Sequence, residues 1–278
     1  MSADSSDRAD TAMSGERQRQ QSLRSDAPHE SGGRLGGRVC ILDALGHIKA
    51  TFDSIDEATE AAESGDGIVA DAGCYTGDVY IKSSLVLTGA NAGIAGSSVR
   101  RGTETLIIGR LIAGKGAANV TIDGLAIVGG IRTDLASGST SRLVIKNCVV
   151  DGRKQNAAVA LLNGGDTTLD DNRIVEGEHA TVWAPQGFGA LTVTRNYIHA
   201  AEQAAAISLN AAAGIGGAII TRNTITGGDY GVSIDVVDGF GNNLDAIAIE
   251  ENDFGVAKAG KVVDGPTIAN VYYRNLRD

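Results

Sequence analysis

Three acidic side chains follow an isoleucine at the same distance in three successive segments of the chain. They are Glu178, Glu202 and Asp229, each four residues after an isoleucine. Retaining glycosidases use two carboxylates about 5 Å apart, and inverting enzymes use separations up to about 9.5 Å. If the segments stack as neighbouring strands, about 4.8 Å apart, these carboxylates fall within that range. The spacing is compatible with a glycoside hydrolase or polysaccharide lyase, and also with solvated acidic residues at the ends of strands.

Side-chain rings that could contact a sugar occur in the same segments. The candidates are His179, Trp183, Tyr197, His199 and Tyr230, and Trp183 is the only tryptophan of the chain. Aromatic rings combine an apolar face with a polar edge, which suits a ligand rich in hydroxyl groups. Packing at the protein surface explains each ring equally well. A carbohydrate-binding surface is therefore one of two interpretations of these residues.

The sequence has no motif for a metal or a cofactor. The three cysteines, Cys40, Cys74 and Cys148, are far apart and form no CxxC pair and no cluster with histidine. Such spacing indicates neither a zinc site nor a disulfide framework. We therefore expect no metal and no cofactor, and the sequence favours a non-enzymatic role over the enzymatic alternative.

The elements that would position these residues are short strands. From residue 67 onwards the chain consists of apolar runs of a few residues, many of them β-branched, each ended by Gly, Asn or Asp. This pattern is typical of strands that are closed by tight turns. The chain contains 38 glycines and only 3 prolines, which is also typical of a fold with many turns.

A repeat of about 25 residues organises these strands. Asparagines interrupt successive runs at intervals of 25, 24, 27, 29 and 23 residues: Asn147, Asn172, Asn196, Asn223, Asn252 and Asn275. A repeat of this length without helices is that of one coil of a parallel β-helix, in which equivalent asparagines stack as a ladder. A leucine-rich repeat would require a helix in each unit, and a β-sandwich would require regular hairpins, so both alternatives are less favoured.

The segment IDEATEAAESGDGIVADAGCYTGDVYIKSSLVLTGANAG, residues 55–93, resembles the N-terminal cap and first coils of the right-handed parallel β-helix, or pectin-lyase-like, superfamily. The resemblance implies an all-β solenoid of roughly nine coils, with an N-terminal capping helix and a disordered N-terminal arm. It is also similar to spike-type members from phage and gene transfer agents. The superfamily hosts many functions, so the resemblance predicts the fold more closely than the activity.

The sequence divides into three parts. Residues 1–37 contain few large apolar side chains and are predicted to form a flexible arm that anchors the protein to a partner. Residues 38–66 are predicted to form a cap of short strands and one helix, which begins with a capping box of Ser54 and Glu57 and ends at Gly65. Residues 67–278 are predicted to form the β-helix.

Charge and targeting signals restrict the partners. The net charge is −10, which disfavours nucleic acid as a ligand. The N-terminus has no apolar segment of a secretory signal, and no run is long enough to span a membrane. We therefore expect a protein made in the cytoplasm that becomes part of a virion or virion-like particle.

This expectation extends to assembly. The terminal coil of a solenoid must be shielded, which suggests a homo-oligomer, in addition to other particle proteins contacted through residues 1–37. The sequence as a whole favours a structural, polysaccharide-binding spike or attachment component. A polysaccharide-degrading enzyme that uses Glu178, Glu202 or Asp229 remains the alternative.

Overall fold

A computed structural model describes residues 37–278 apart from 115, 134–141, 154, 163–164, 186–188, 211–215, 236–246, 256–261, 265–272 and 275–278. The described part contains one helix, α1 (Ile55–Ala61). Its strands in chain order are β1 (Val39–Leu42), β2 (Ile48–Phe52), β3 (Gly67–Ala70), β4 (Gly73–Thr76), β5 (Val79–Ile81), β6 (Leu85–Thr88), β7 (Thr105–Ile108), β8 (Leu111–Ala113), β9 (Asn119–Asp123), β10 (Ala126–Val128), β11 (Ile131–Thr133), β12 (Arg142–Lys146), β13 (Val149–Asp151), β14 (Ala157–Ala160), β15 (Asp166–Asp170), β16 (Arg173–Val175), β17 (Ala180–Ala184), β18 (Leu191–Thr194), β19 (Tyr197–Ala200), β20 (Ala205–Asn210), β21 (Ala218–Thr221), β22 (Thr224–Gly227), β23 (Tyr230–Asp235), β24 (Ile247–Glu250), β25 (Asp253–Phe254), β26 (Val262–Asp264) and β27 (Tyr273–Arg274).

The strands form three sheets that run the length of a solenoid. Sheet 1 has the order β2-β1-β3-β6-β9-β12-β15-β18-β21-β24-β27, sheet 2 the order β4-β7-β10-β13-β16-β19-β22-β25, and sheet 3 the order β5-β8-β11-β14-β17-β20-β23-β26. From β3 onwards each coil contributes one strand to each sheet, and every pairing between coils is parallel. The prediction of an all-β parallel β-helix is confirmed, with eight three-strand coils and the first strand of a ninth.

The core consists of columns of aliphatic side chains. In sheet 1 the register aligns one inward residue from each of six strands, and all six are fully buried: Ile122, Ile145, Leu169, Val193, Ile220 and Ile249. Because side chains alternate across a strand, the residues between them point outwards. The β-branched runs of the sequence form strands for this reason: one face stacks on the coils above and below.

The N-terminal end is closed by a hairpin and the helix. Strand β1 pairs antiparallel with both β2 and β3, and α1 contacts β1, β2, β3 and β5. The Ser54 hydroxyl accepts a hydrogen bond from the Glu57 backbone N–H at 3.2 Å, as the capping box predicts. The helix ends at Ala61 rather than near Gly65, because the Asp66 carboxylate accepts from the backbone N–H of Glu63 and stops the next turn. The predicted arm lies outside the described residues except for Gly37.

From β9 onwards, the described connections from sheet 1 to sheet 2 are six turns of two residues, which we call the ladder corner: 124–125, 147–148, 171–172, 195–196, 222–223 and 251–252. The first residue of each turn has a φ between 52° and 75°, in the left-handed region that closes a tight turn. The second residue occupies the ladder position. From the strand register these ladder residues are Leu125, Cys148, Asn172, Asn196, Asn223 and Asn252.

The four ladder asparagines are buried and bonded to one another. The Asn196 Oδ1 accepts from both the backbone N–H and the Nδ2 of Asn172, at 2.9 and 3.0 Å. The same pair of bonds joins Asn196 to Asn223, and Asn223 to Asn252. Each Nδ2 also donates to a strand carbonyl of the preceding coil, such as that of Leu169 for Asn196. The ladder therefore satisfies turn backbone groups that the solenoid buries.

Asn147 is not a rung of this ladder, contrary to the sequence prediction. It is the first residue of its turn, with a φ of 55°, and its Nδ2 donates to the Asp123 carboxylate at 2.8 Å. Cys148 takes the ladder position instead, and its backbone N–H donates to the Asn172 Oδ1. The interval of 25 residues between Asn147 and Asn172 hides this shift, because the register repeats after 24 at this point. The sixth predicted rung, Asn275, lies outside the described residues.

Residues 89–104 form a strap across the first turns of the ladder corner. The Gly96 backbone N–H donates to the Asp171 carbonyl at 2.7 Å. The Arg101 guanidinium donates to the Asn147 carbonyl at 2.6 Å and pairs with Glu104. A Cβ on Gly96 would lie 2.2 Å from the Cys148 carbonyl oxygen, so the strap lies directly on the turns. No pattern in the sequence indicates this contact.

Candidate functional site

The turns from sheet 2 to sheet 3 differ in length, and we call this edge of the solenoid the variable corner. Its turns are 77–78, 109–110, 129–130, 152–156, 176–179, 201–204 and 228–229. The first three have two residues, and the next has five. This change in length produces a step on the surface, and the sequence-predicted site residues lie along the same corner.

A cleft of about 230 Å³ occupies the step between the short and the long turns. Its lining residues are Arg110, Gly129, Gly130, Ile131, Arg132, Gln155, Asn156, Ala157, Ala160, Leu162 and Trp183. The short side depends on glycine: Gly130 has a φ of +84°, and a Cβ there would lie 2.8 Å from the Ala158 carbonyl oxygen. The cleft is thus a consequence of how two neighbouring coils close.

Two large side chains flank the cleft on the outer face of sheet 3. The register aligns Arg132 of β11 with Ala160 of β14, and Ala160 with Trp183 of β17. Arg132 and Trp183 are therefore two rungs apart, about 10 Å at the strand spacing. The methyl group of Ala160 leaves the space between them open. The His179 ring meets Trp183 edge to face, with centroids 5.3 Å apart at 73°.

Arg110 is fixed by Asp78 of the preceding coil. The Asp78 carboxylate accepts from the Arg110 backbone N–H at 2.8 Å and from its Nε at 3.0 Å, and Nη2 donates to it as well. These hydrogen bonds, with a smaller contribution from the charge of Arg132, hold the pKa of Asp78 below its usual value. Part of the Arg110 charge is therefore neutralised within the protein.

Arg132 is in a different electrostatic situation. Among the described residues no carboxylate lies within salt-bridge distance of its guanidinium. Its Nε is buried and has no hydrogen-bond acceptor in the part of the chain that the structure describes. Burying a donor without an acceptor costs about 1–3 kcal/mol. The position of Arg132 is thus unfavourable for the protein alone.

A depression lies further along the variable corner. Glu176, His199 and Glu202 surround it, and its floor is made of small residues: Ala200, Ala201, Gly227 and Gly228. The His199 Nδ1 lies 3.0 Å from the Thr226 Oγ1. The Thr226 hydroxyl in turn donates to the Tyr197 hydroxyl at 3.3 Å. Two predicted residues, Tyr197 and His199, are therefore linked through one hydroxyl.

The three carboxylates keep the predicted offset from sheet 2 but differ in their offset from sheet 3. The register of sheet 2 aligns Ile174, Ile198 and Ile225, and each carboxylate is four residues after one of them. The register of sheet 3 aligns Ala180, Ala205 and Tyr230. Glu178 is two residues before this level, Glu202 three before and Asp229 one before. The two offsets disagree because the connections from sheet 2 to sheet 3 have unequal lengths. The carboxylates lie in successive turns, and whether they form one file stays a prediction.

The predicted aromatic residues fall into separate groups. His179 and Trp183 lie at the cleft, Tyr197 and His199 at the depression, and Tyr230 is half-buried at the start of β23. The Arg173 guanidinium lies over the Tyr197 ring, 5.9 Å from its centroid. Sequence reasoning missed Arg110, Arg132, Gln155, Asn156 and Glu176. An arginine flanked by β-branched residues, in the run IRT at 131–133, is the one local signal that could have drawn attention to Arg132.

Metal-binding clusters and membrane-spanning helices are both absent from the described residues. In the described residues, no three or more His, Cys, Asp or Glu side chains are grouped so that they could hold a metal ion. No helix in the same part of the chain is long and apolar enough to cross a membrane.

Comparison with known proteins gives one match. The family model described as "Right handed beta helix region" matches residues 111–254, more than half of the chain. No curated protein and no solved structure matches significantly. The matched residues include both sides of the cleft and the whole of the depression.

Proposed function

Because the chain belongs to the family of right-handed β-helix proteins, we propose that it is a structural protein that binds carbohydrate at the variable corner. The observation that carries the proposal is the cleft beside Trp183, the only tryptophan of the chain. Trp183 is half-buried on the outer face of sheet 3, where neither core packing nor the ladder requires a ring. Concave sites with one aromatic wall and a few polar groups are typical of small-ligand binding.

The polar groups of the cleft suit a sugar. Gln155 and Asn156 stand on its rim and offer amide donors and acceptors for hydroxyl groups. The edge contact with His179 holds the Trp183 ring in one orientation. A ring fixed before binding loses little conformational entropy when a ligand arrives. The solenoid presents this site on a stiff column of coils, which suits contact with a long polymer.

The finer proposal is a spike or attachment component of a phage-like particle that contacts cell-surface polysaccharide. It rests on the low apolar content of residues 1–37, which would serve as the anchor, and on the rigid column that follows. The proposal includes assembly as a homo-oligomer. A chain that lacks residues 1–37 should fold and bind glycan but fail to join particles from the source strain. Normal incorporation of that chain would contradict the anchor.

Binding should be measured against a panel of purified bacterial capsular polysaccharides and lipopolysaccharides. The Trp183→Ala variant should bind the recognised glycan at least tenfold more weakly than wild type, because it removes the aromatic wall. Ile219→Ala is the matched control, since Ile219 is an exposed apolar residue (51%) on sheet 1. Equal affinity of wild type and Trp183→Ala for every glycan would contradict the proposal.

The depression supports the enzymatic alternative, a glycoside hydrolase or lyase. Glu202 and Glu176 stand beside His199 there, and such groups can act as general acid and base. Reducing ends and unsaturated products should be assayed on the glycans that bind. We expect no release by wild type. Release that Glu202→Gln abolishes, with the fold intact by circular dichroism, would replace the binding proposal with the enzymatic one.

A further inference from the structure

Arg132 differs from the other arginines of the solenoid. Five arginines pair with carboxylates of the protein: Arg101, Arg110, Arg153, Arg195 and Arg222. In the described part of the chain no salt bridge is formed by Arg132 or by four other arginines: Arg38, Arg100, Arg142 and Arg173. Among the described arginines, what distinguishes Arg132 is its buried Nε, which lacks an acceptor. In a chain of net charge −10, carboxylates are abundant, so an unpaired guanidinium at a cleft calls for a specific explanation.

The cleft has a charged end and an aromatic end. Arg110 and Arg132 stand at the end formed by the short turns, and Trp183 at the end formed by the long turns. The distance of two rungs, about 10 Å between backbones, leaves room for one sugar ring over Ala160 once the side chains are counted. The Asp78 carboxylate already accepts hydrogen bonds from the Arg110 guanidinium. Of the two arginines, Arg132 is therefore the one available to donate to a ligand.

The geometry points to an anionic sugar as the ligand of this cleft, with its acidic substituent received by Arg132 and its ring placed against Trp183. This inference rests on the proposed carbohydrate-binding function and names the class of sugar. The acidic substituent is a carboxylate, a sulfate or a phosphate, since each can accept the N–H groups of a guanidinium side by side.

The overall negative charge does not prevent such binding. At physiological ionic strength the screening length is about 8 Å, so an anion within the cleft responds mainly to the arginines that line it. Distant carboxylates reduce the rate of encounter with a polyanion more than they reduce the affinity of the bound state. An acidic protein can therefore select a single charged sugar through a local guanidinium.

The test uses the full-length chain and the glycan that it binds in the panel of capsular polysaccharides and lipopolysaccharides. The glycan is assayed untreated, after chemical reduction of its carboxylates to alcohols, after desulfation, and after phosphatase treatment. One of the three treatments should weaken binding at least tenfold, and the effective treatment identifies the acidic group. Full affinity after all three treatments, with the Trp183→Ala effect intact, would overturn the anionic inference and leave the proposed function standing.

Variants of the protein provide the second arm. Arg132→Gln should lose at least tenfold in affinity for the untreated glycan and should bind the neutralised glycan as wild type does. Arg132→Lys should be intermediate, because it keeps the charge but loses the paired donors. Arg142→Gln, at an exposed arginine on sheet 1, removes the same charge elsewhere and should have no effect. Equal losses in Arg132→Gln and Arg142→Gln would overturn the role of Arg132.

A third outcome separates the two proposals. If wild type binds no glycan of the panel, the proposed function fails, and the anionic inference fails with it. If a glycan binds and only Trp183→Ala weakens it, the function stands and the anionic inference is wrong. Melting curves of each variant show whether a loss of binding reflects a loss of fold.

Discussion

At the ladder corner every described turn from 124–125 to 251–252 has two residues, whereas the turns of the variable corner have two, four or five. Both corners join the same strands of sheet 2. Where turn length is constant, identical side chains fall in register and bond to each other, as Asn172 and Asn196 do. Where turn length changes, side chains fall out of register and the surface opens into the cleft and the depression. Constant turns therefore stabilise this solenoid, and variable turns give it sites.

The comparison is tested most strongly within the ladder. Asn196→Ala should lower the free energy of unfolding by about 4 kcal/mol, because several buried donors and acceptors lose their partners at once. These include the Asn172 backbone N–H and the Leu169 carbonyl. Cys148→Ala at the same ladder position should cost only about 1–2 kcal/mol, since its thiol bonds only to carbonyls. Urea unfolding followed by circular dichroism measures both.

Equal costs for Asn196→Ala and Cys148→Ala would show that the amide ladder is not what holds this corner. Burial raises the pKa of the Cys148 thiol to about 12. The thiol is therefore protonated in both assays up to pH 9, and its ionisation cannot confuse the comparison.

The second test compares a glycine of a short turn with the alanine at the equivalent position of a coil that has a longer turn, both at the variable corner. Gly109 begins a short turn, and a Cβ there would lie 2.0 Å from the Gly77 carbonyl oxygen. Gly109→Ala should therefore cost about 3 kcal/mol. The register places Ala200, the last residue of β19, at the equivalent position before a longer turn, so Ala200→Gly should cost only about 1 kcal/mol. Urea midpoints at equal slopes give both values, and a harmless Gly109→Ala would show that the short turns are not sterically closed.

The sequence predicted the ladder corner better than the variable corner for a physical reason. The asparagine spacing was measured at turns of constant length, so Asn172, Asn196, Asn223 and Asn252 were assigned to one column that the hydrogen bonds display. The same count does not place the carboxylates at one level of sheet 3, because the turns of the variable corner differ in length. Asn147 was assigned to the ladder for a different reason: it is the first residue of its turn, and its interval of 25 residues to Asn172 exceeds the register repeat of 24 by one.

The cleft could not be predicted from the sequence by counting. Arg132 and Trp183 are 51 residues apart, and they meet only through two rungs of sheet 3. The intervening connections have different lengths, so no fixed period relates the two positions. That no described carboxylate forms a salt bridge with Arg132 is also a property of three-dimensional packing, whereas the presence of Trp183 was visible from composition alone.

The third prediction concerns the ion pair that closes a short turn. The pKa of Asp78 is lowered mainly by hydrogen bonds from Arg110, from a usual value of 3.8. A lowered folded pKa means that the pair stabilises fully above this usual value, and that the stabilisation disappears as the pH falls through the folded pKa. Asp78→Asn should therefore be less stable than wild type by about 1 kcal/mol at pH 6, and the difference should shrink as the pH falls below the usual value of 3.8 and through the folded pKa. A difference that persists at the lowest pH would assign the effect to packing.

The smallest effect, of opposite sign, is expected at the cleft itself. Arg132→Met keeps the apolar stem and removes the buried Nε that lacks an acceptor. The free energy of unfolding should therefore rise by about 0.5–1 kcal/mol. Replacing a ladder asparagine is expected to lower it instead. Arg142→Met on sheet 1 should change stability by less than about 0.5 kcal/mol, since Arg142 is exposed. A residue that is retained for binding a ligand can destabilise the free protein, and its replacement then raises the free energy of unfolding. A loss of stability in Arg132→Met would therefore show that the arginine stabilises the fold.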